Sequence, residues 1–480
     1  MRPPARLAAI ALAIVAALAG PPPAAAQTYD VVLRGGRVLD PESGLDAVRN
    51  VGIRDGRIAA VTADPLQGRE VVDATGLVVA PGFIDLHAHG QDPFSRDLQV
   101  RDGVTTALEL EGGVWPVADW YAEREGNWRI NFGATVSHGA IRYLAMDQDA
   151  EAQRYAAATP ARIRRMQELA TEGLRAGAIG LGFGIQYVPG ASREEIFRLF
   201  QTAAQEGVTS FVHVRYAGVQ EPEAAVTAVQ EMIAGAAGTG ASVHIVHIGS
   251  SGQSQIPLAL EMIDGAQASG LDVTTEIYPY TAASTDIASA IFDPGWRDRL
   301  AADYGDIEWV ATGERLDSVS FYQRREEGGP VIAHIIPEDG IRYALGHPGV
   351  IVASDGVPFV DGRAHPRGAG SFARVLGRYV REQGALTLME AVRRMTLLPA
   401  RRLEAVAPEM RRKGRVSVGA DADLTLFDPA TVLDRATFAE PAQPSAGIPH
   451  VMVGGTFVVR DGGLVDGAMP GQAIRQQPVS

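Results

Sequence analysis

The sequence predicts an α/β protein: a (β/α)8 TIM-like barrel with a small flanking β-sandwich domain built from both chain ends. Three observations predict it. Strand-like and helix-like segments alternate through the middle of the chain, the pattern of a parallel sheet. Both ends instead carry short apolar runs broken by glycine-containing turns, the pattern of antiparallel strands. Histidines and an aspartate fall at the ends of the predicted middle strands, where barrels gather their polar groups. A doubly wound open sheet is the alternative for the middle of the chain.

The chain has 480 residues, 46% hydrophobic and 21% charged, which excludes a disordered or fibrous protein. That length exceeds the usual single domain, so a large domain with an appendage is expected. A net charge of −14 argues against a broad basic surface for nucleic acid and leaves a small molecule as the expected partner. Cysteine is absent, so disulfides, thiolate zinc sites and a cysteine nucleophile are excluded. The basic residues are arginines apart from one lysine, Lys413.

The first element is a targeting segment, residues 1–26. Arg2 and Arg6 flank the start of a small apolar run that reaches Ala19, followed by prolines and Ala24-Ala25-Ala26. A positive start, a short apolar core and a small-residue end make a secretory signal. The run is too short to span a bilayer comfortably. Cleavage before Gln27, a periplasmic or secreted destination and no stable membrane insertion of the mature chain are expected.

Residues 27–79 and 410–475 make the β-sandwich domain. Val31-Val-Leu-Arg, Val51-Gly-Ile-Arg and Ile58-Ala-Ala-Val are separated by Gly35-Gly36 and Asp55-Gly56; Val451-Met-Val and Phe457-Val-Val-Arg are separated by Gly454-Gly455. The barrel is expected over residues 80–409. Its candidate strands are residues 78–86, 105–111, 133–138, 178–185, 209–214, 242–248, 272–278 and 350–354. Thr159-Pro160 opens one intervening helix, and Ser192 with Glu195 has the spacing of a capping box for another. Residues 285–349 are too long for a plain strand–helix unit and read as an insertion over the barrel mouth.

The chemistry is expected at the strand ends. His87 and His89 stand two residues apart, so on a strand they project to one side and can share a divalent ion. His213 ends the fifth strand, His247 the sixth and Asp355 the eighth. Polar groups at one barrel mouth converge, and buried charge needs a partner. A metal centre of one or two ions follows, with zinc first and manganese or iron as alternatives.

The passages Pro81–His89, Gly180-Leu-Gly-Phe-Gly-Ile-Gln-Tyr-Val-Pro-Gly190, Asp272-Val-Thr-Thr-Glu-Ile-Tyr-Pro-Tyr and His365-Pro-Arg-Gly-Ala-Gly370 carry a resemblance over nearly the whole chain beyond the signal. The sequence resembles the amidohydrolase superfamily, and within it the D-aminoacylase (N-acyl-D-amino-acid deacylase) branch. The resemblance implies that His87 and His89 form the first metal-binding pair and that His213 and His247 serve a second position. It implies that Asp355 binds metal and acts as general base, then acid, a role that fits a carboxylate beside an activated water.

The bridging ligand departs from the pattern. Many members use a carboxylated lysine on strand four, where this chain reads Gly182-Phe-Gly-Ile-Gln-Tyr187, and its only lysine lies beyond the barrel. The resembled branch uses a cysteine on strand two, and this chain has none. Glu109 and Glu111 alternate onto one face of that strand, and Glu111, nearer its end, is expected to bridge, with Glu109 the alternative. If neither bridges, a single metal on His213 and His247 is expected.

For the substrate carboxylate, the resemblance implies Tyr278 and Ser284, with a lysine position that is Gly249 here. Arginine can replace that lysine, since its planar fork suits a carboxylate; Arg215, Arg367 and Arg374 are the candidates. His138 is expected to line the mouth, and His244 to pack on the opposite side of its strand from His247. The expected activity is hydrolysis of a linear amide, namely deacylation of an N-acyl-D-amino acid, N-acyl-D-glutamate among them. A cyclic-amide hydrolase, hydantoinase- or dihydroorotase-like, or an isoaspartyl-dipeptide hydrolase is the alternative, although those relatives carry the strand-four lysine. A non-catalytic relative is the third reading; the presence of Asp355 speaks against it.

Overall fold

The computed structural model describes residues 28–476, and the expected secretory signal lies outside the described residues. Eight parallel strands form the central sheet: β1 (Phe83–Asp85), β2 (Val104–Val114), β3 (Asn131–Ser137), β4 (Gly180–Gly184), β5 (Thr209–His213), β6 (Ser242–Ile245), β7 (Val273–Ile277) and β8 (Val350–Val352). They pair in chain order. The two edges meet just beyond β1 and β8, where Ala88 bridges Gly356 in parallel and Gly90 N donates to Gly356 O at 2.8 Å. Asp85 adds hydrogen bonds from the backbone and hydroxyl of Ser354. These contacts close the sheet into a barrel and set aside the open-sheet alternative.

Helices cover the outside, each burying one stripe. In Arg193–Gln205 the buried positions include Ile196, Leu199, Phe200 and Ala203, the spacing of one helix face. Thr159 caps Pro160–Arg175, accepting from Arg162 N. Ser192 caps Arg193–Gln205, accepting from Glu195 N at 3.1 Å. The Glu195 carboxylate does not complete the expected capping box. It is fully buried and holds Arg142 and His138 instead, because a buried guanidinium needs a counter-charge.

The strand expected over residues 78–86 divides at Gly82. Val78–Pro81 pairs with Leu424–Phe427 outside the barrel, and only Phe83–Asp85 enters it. A Cβ at Gly82 would lie 2.2 Å from the Thr105 side chain, so only glycine permits this crossing. Val78–Pro81 belongs to a nine-stranded sheet built from both ends of the described chain. Thr28–Asp40 from the first end and His450–Val453 from the last are both members. Leu33, Val51 and Ile53 pack with Leu424, Leu426 and Met452 in a core separate from that of the barrel.

Between β7 and β8 lies a small antiparallel sheet, with strands Ala283–Asp286, Ile307–Trp309, Glu314–Arg315 and Pro330–Ala333. Phe292, Trp296 and Phe321 form its apolar centre, with the Trp296 and Phe321 rings stacked at 5.0 Å. Among the described residues, no helix is long and apolar enough to cross a membrane.

Lys413, the one lysine, is buried where the terminal sheet meets the barrel. Its ammonium lies 2.6 Å from Asp423 and 3.2 Å from Asp421. Asp423 also accepts from Asn131 of β3 at 2.9 Å and from Gly454 N at 2.7 Å. Removing the cation strands a buried carboxylate at this junction. Lys413→Met is therefore expected to cost about 3–5 kcal/mol, read as a lower denaturation midpoint in urea; an unchanged midpoint would show that the pair does not hold the junction.

Candidate metal centre

The donors sit at the carboxyl ends of the barrel strands and on the loops that leave them. His87 and His89 follow β1, and their Nε2 atoms lie 3.0 Å apart. His213 ends β5 and His247 follows β6; His247 Nε2 lies 3.1 Å from His213 Nδ1. Asp355 follows β8, with Oδ1 3.4 Å from His87 Nε2 and 3.6 Å from His89 Nε2. His247 and Asp355 hold left-handed backbone, at φ 33° and 52°. Such conformations in residues other than glycine gather at functional sites.

Glu111 lies between the two histidine pairs. Its Oε2 is 3.5 Å from His89 Nε2 and 3.9 Å from His87 Nε2, while Oε1 is 3.8 Å from His213 Nδ1. Oε1 is buried without a hydrogen-bond partner. One carboxylate thus offers an oxygen to each pair. Glu109 does something else: both its oxygens take His89 Nδ1, at 2.9 and 3.0 Å, which turns His89 Nε2 inward. The pairing of β2 with β3 shifts register between Glu109 and Val114, and this bulge carries Glu111 to the mouth.

The electrostatics call for a cation. Burial alone would lower the His87 pKa, but the carboxylates of Asp355 and Glu276 outweigh it and push it up to about 10. Burial pushes the Glu111 carboxyl up to about 7. Burial, reinforced by His87 and His89, holds His213 down at about 3, and burial also holds His247 well below 6.5. His213 and His247, held neutral, and His87 and His89, set among buried carboxylates, are a donor set in which a divalent ion can take the place of protons. The spacing agrees: two nitrogens about 2.0–2.1 Å from one zinc, in a roughly tetrahedral arrangement, stand roughly 3.3 Å apart. His87, His89 and Glu111 make one group within reach of a single ion, and His87, His247 and Asp355 another.

Residues that the sequence did not single out hold these donors in place. Glu276 on β7 accepts from His87 Nδ1 at 2.6 Å and pairs with His244 Nε2 at 3.0 Å, and Thr274 takes His244 Nδ1 at 2.7 Å. His244 is therefore more than packing: it fixes the carboxylate that fixes His87. Gln186 holds His213 Nε2 at 2.8 Å, and Ser250 holds His247 Nδ1 at 3.0 Å. The signal was present in a charged residue, Glu276, inside an otherwise uncharged strand of the barrel.

A cavity of about 180 Å³ opens above the donors. That is below the roughly 300–1,000 Å³ of drug-sized sites, so it suits a small metabolite. Tyr278, Ser284 and Arg367 line it together with the donors. Arg367 NH2 lies 2.9 Å from Asp355 Oδ1, and the guanidinium stacks over the Tyr278 ring at 4.7 Å. Its Nε and second terminal nitrogen, and the Tyr278 hydroxyl, are buried without partners. Burial raises the Tyr278 pKa to about 12, which keeps the phenol a donor.

Three expected residues do not join them. Arg215 is bound by Glu231 at 2.9 and 3.0 Å and lies outside the cavity lining. Arg374 reaches Asp434 at 2.8 Å and Pro279 O at 2.7 Å, stacked on Tyr280. His138 opens the helix after β3 and gives Nε2 to Glu195 at 2.8 Å. In each case a carboxylate from another element claims the side chain, so it serves the fold rather than the mouth.

The Glu276 contact yields a prediction. Glu276→Gln removes the charge that orients His87, and metal affinity is expected to fall about 10- to 100-fold. Competition with a chromophoric chelator measures it, and unchanged affinity would reduce Glu276 to packing.

Comparison with known proteins places the chain among its relatives. The sequence pattern of the amidohydrolase family matches residues 70–304 and 338–459. An N-acyl-D-glutamate deacylase of Alcaligenes xylosoxydans xylosoxydans is 35% identical over 90% of this chain and 94% of its own. A dihydroorotase of Pelotomaculum thermopropionicum is more distant, 26% identical over 90% of this chain and 99% of its own. The crystal structure of N-acyl-D-glutamate deacylase from Bordetella bronchiseptica, complexed with zinc and a phosphonate inhibitor, superposes with a TM-score of 0.82 at 31% identity, covering 94% of this chain and all of that one. The barrel, the histidine and carboxylate cluster and these likenesses lead to one assignment: the chain belongs to the amidohydrolase family.

Proposed function

We propose that the chain is a zinc-dependent hydrolase that removes the acyl group from N-acyl-D-amino acids. One observation carries the reading. Arg367 lines the same small cavity as Asp355 and the histidine cluster, and two of its buried nitrogens have no hydrogen-bond partner. A free carboxylate can thus be held within one small molecule's length of the reacting groups. Tyr278 and Ser284 line the same wall and offer further donors. The position expected to hold lysine, Gly249, is not turned to the cavity: a Cβ there would meet Ile277 at 3.3 Å. The only cation for the carboxylate among the described cavity residues is therefore Arg367.

A bound zinc ion supplies Lewis acidity, which lowers the pKa of a water and polarises a carbonyl. Asp355 is held by Arg367 at one oxygen, which fixes its direction. From that position it can accept the proton of the attacking water and deliver it to the departing nitrogen. Glu111 and the imidazoles would hold the ion, and Glu109, Glu276, Gln186 and Ser250 fix the orientation of the imidazoles. The family likeness to N-acyl-D-glutamate deacylase supports the linear amide over the cyclic one, since the dihydroorotase match is more distant.

Chelation followed by zinc add-back is expected to abolish and restore release of free amine from N-acetyl-D-amino acids. Hydantoins, dihydroorotate and isoaspartyl dipeptides should stay intact in the same assay. Full activity after chelation, or turnover of a cyclic amide alone, would refute this function.

The composition of residues 1–26 supports an exported protein, periplasmic or secreted. N-terminal sequencing of the exported fraction is expected to begin at Gln27; a chain that stays inside the cell with Met1 intact would overturn it.

A further inference from the structure

We infer that the substrate side chain is apolar, seated against Ala217, Ile291, Phe292 and Leu300. The inference rests on the deacylase reading and names the class of amino acid it acts on. The cavity has two unlike walls. One carries the histidines, the carboxylates and Arg367; the other is made by these four side chains with Ala333. All five belong to one apolar cluster, Ala217 from the loop after β5 and the other four from the insertion between β7 and β8, so the wall is packed from behind.

The charge inventory points the same way. Among the described residues lining the cavity, Arg367 is the single arginine or lysine, and it already faces Asp355. The carboxylate on the amino acid's α-carbon uses its remaining nitrogens. A second cavity lies beyond Ala217 and Ile291 and contains three arginines, none of which lines the first cavity. Arg215 is held by both oxygens of Glu231. Arg299 donates to the carbonyls of Pro294, Ile291 and Asp293. Arg193 projects into solvent beside Glu231.

An acidic side chain would therefore be buried against hydrocarbon with no counter-ion, which is strongly disfavoured. A leucine, methionine or phenylalanine side chain in the same place gains from leaving water. N-acyl-D-glutamate, included among the substrates expected from the sequence, brings a second carboxylate that this wall cannot neutralise.

The test is the substrate profile of the zinc-loaded protein. Values of kcat/KM for N-acetyl-D-leucine and N-acetyl-D-methionine are expected to exceed those for N-acetyl-D-glutamate and N-acetyl-D-aspartate by at least about 100-fold. Ile291→Arg, which puts a cation at the border of the two cavities, is expected to narrow that ratio at least about tenfold. The wild-type profile is decisive even where the variant folds poorly. Equal or better hydrolysis of the acidic substrates overturns the apolar side chain and leaves the deacylase reading intact. No hydrolysis of any N-acyl-D-amino acid overturns the deacylase reading, and this inference with it.

Discussion

Three carboxylates, from Glu111, Glu276 and Asp355, approach one imidazole ring, His87, within 4 Å, and all are buried. Negative charge concentrated in that way is sustained only by a cation. The rest of the architecture serves this demand. Closure of the barrel through Asp85, Ser354 and Gly356 brings the first strand's histidines beside the last strand's aspartate, although they lie far apart in the chain. The left-handed backbone at His247 and Asp355 aims both side chains back over the mouth. Each donor ring is then held at its other nitrogen by a glutamate, a glutamine or a serine, so the inward lone pairs are set before any ligand arrives.

The sequence made much of this legible because periodicity and spacing are local. All eight barrel strands sit where alternating apolar segments predict them, apart from the first, which glycine cuts at Gly82. The pair His87 and His89, and the strand-end histidines and aspartate, were visible because a barrel sends every strand terminus to one face. What failed to show was pairing at long range. Arg215, Arg374 and His138 carry the right chemistry, but Glu231, Asp434 and Glu195 come from other elements to claim them. Glu276 was passed over for the converse reason: its partners, His87 and His244, lie on two other barrel segments. Nothing in a single strand announces which buried ion will meet which.

Reactivity and selectivity occupy different parts of the chain. The barrel strand ends and the loops after them supply every donor, whereas the insertion supplies most of the apolar lining of the cavity. The insertion has its own aromatic core, with Trp296 stacked on Phe321. Such a division lets one segment vary without disturbing the cluster that performs the chemistry.

The buried Lys413 has a practical corollary. It is the sole lysine, and its amine is sealed between Asp421 and Asp423. Reagents that target primary amines meet no exposed ε-amino group on this surface, which leaves the α-amino end as the reactive site. Dye coupling or immobilisation through amine chemistry would thus attach at one chemically defined point.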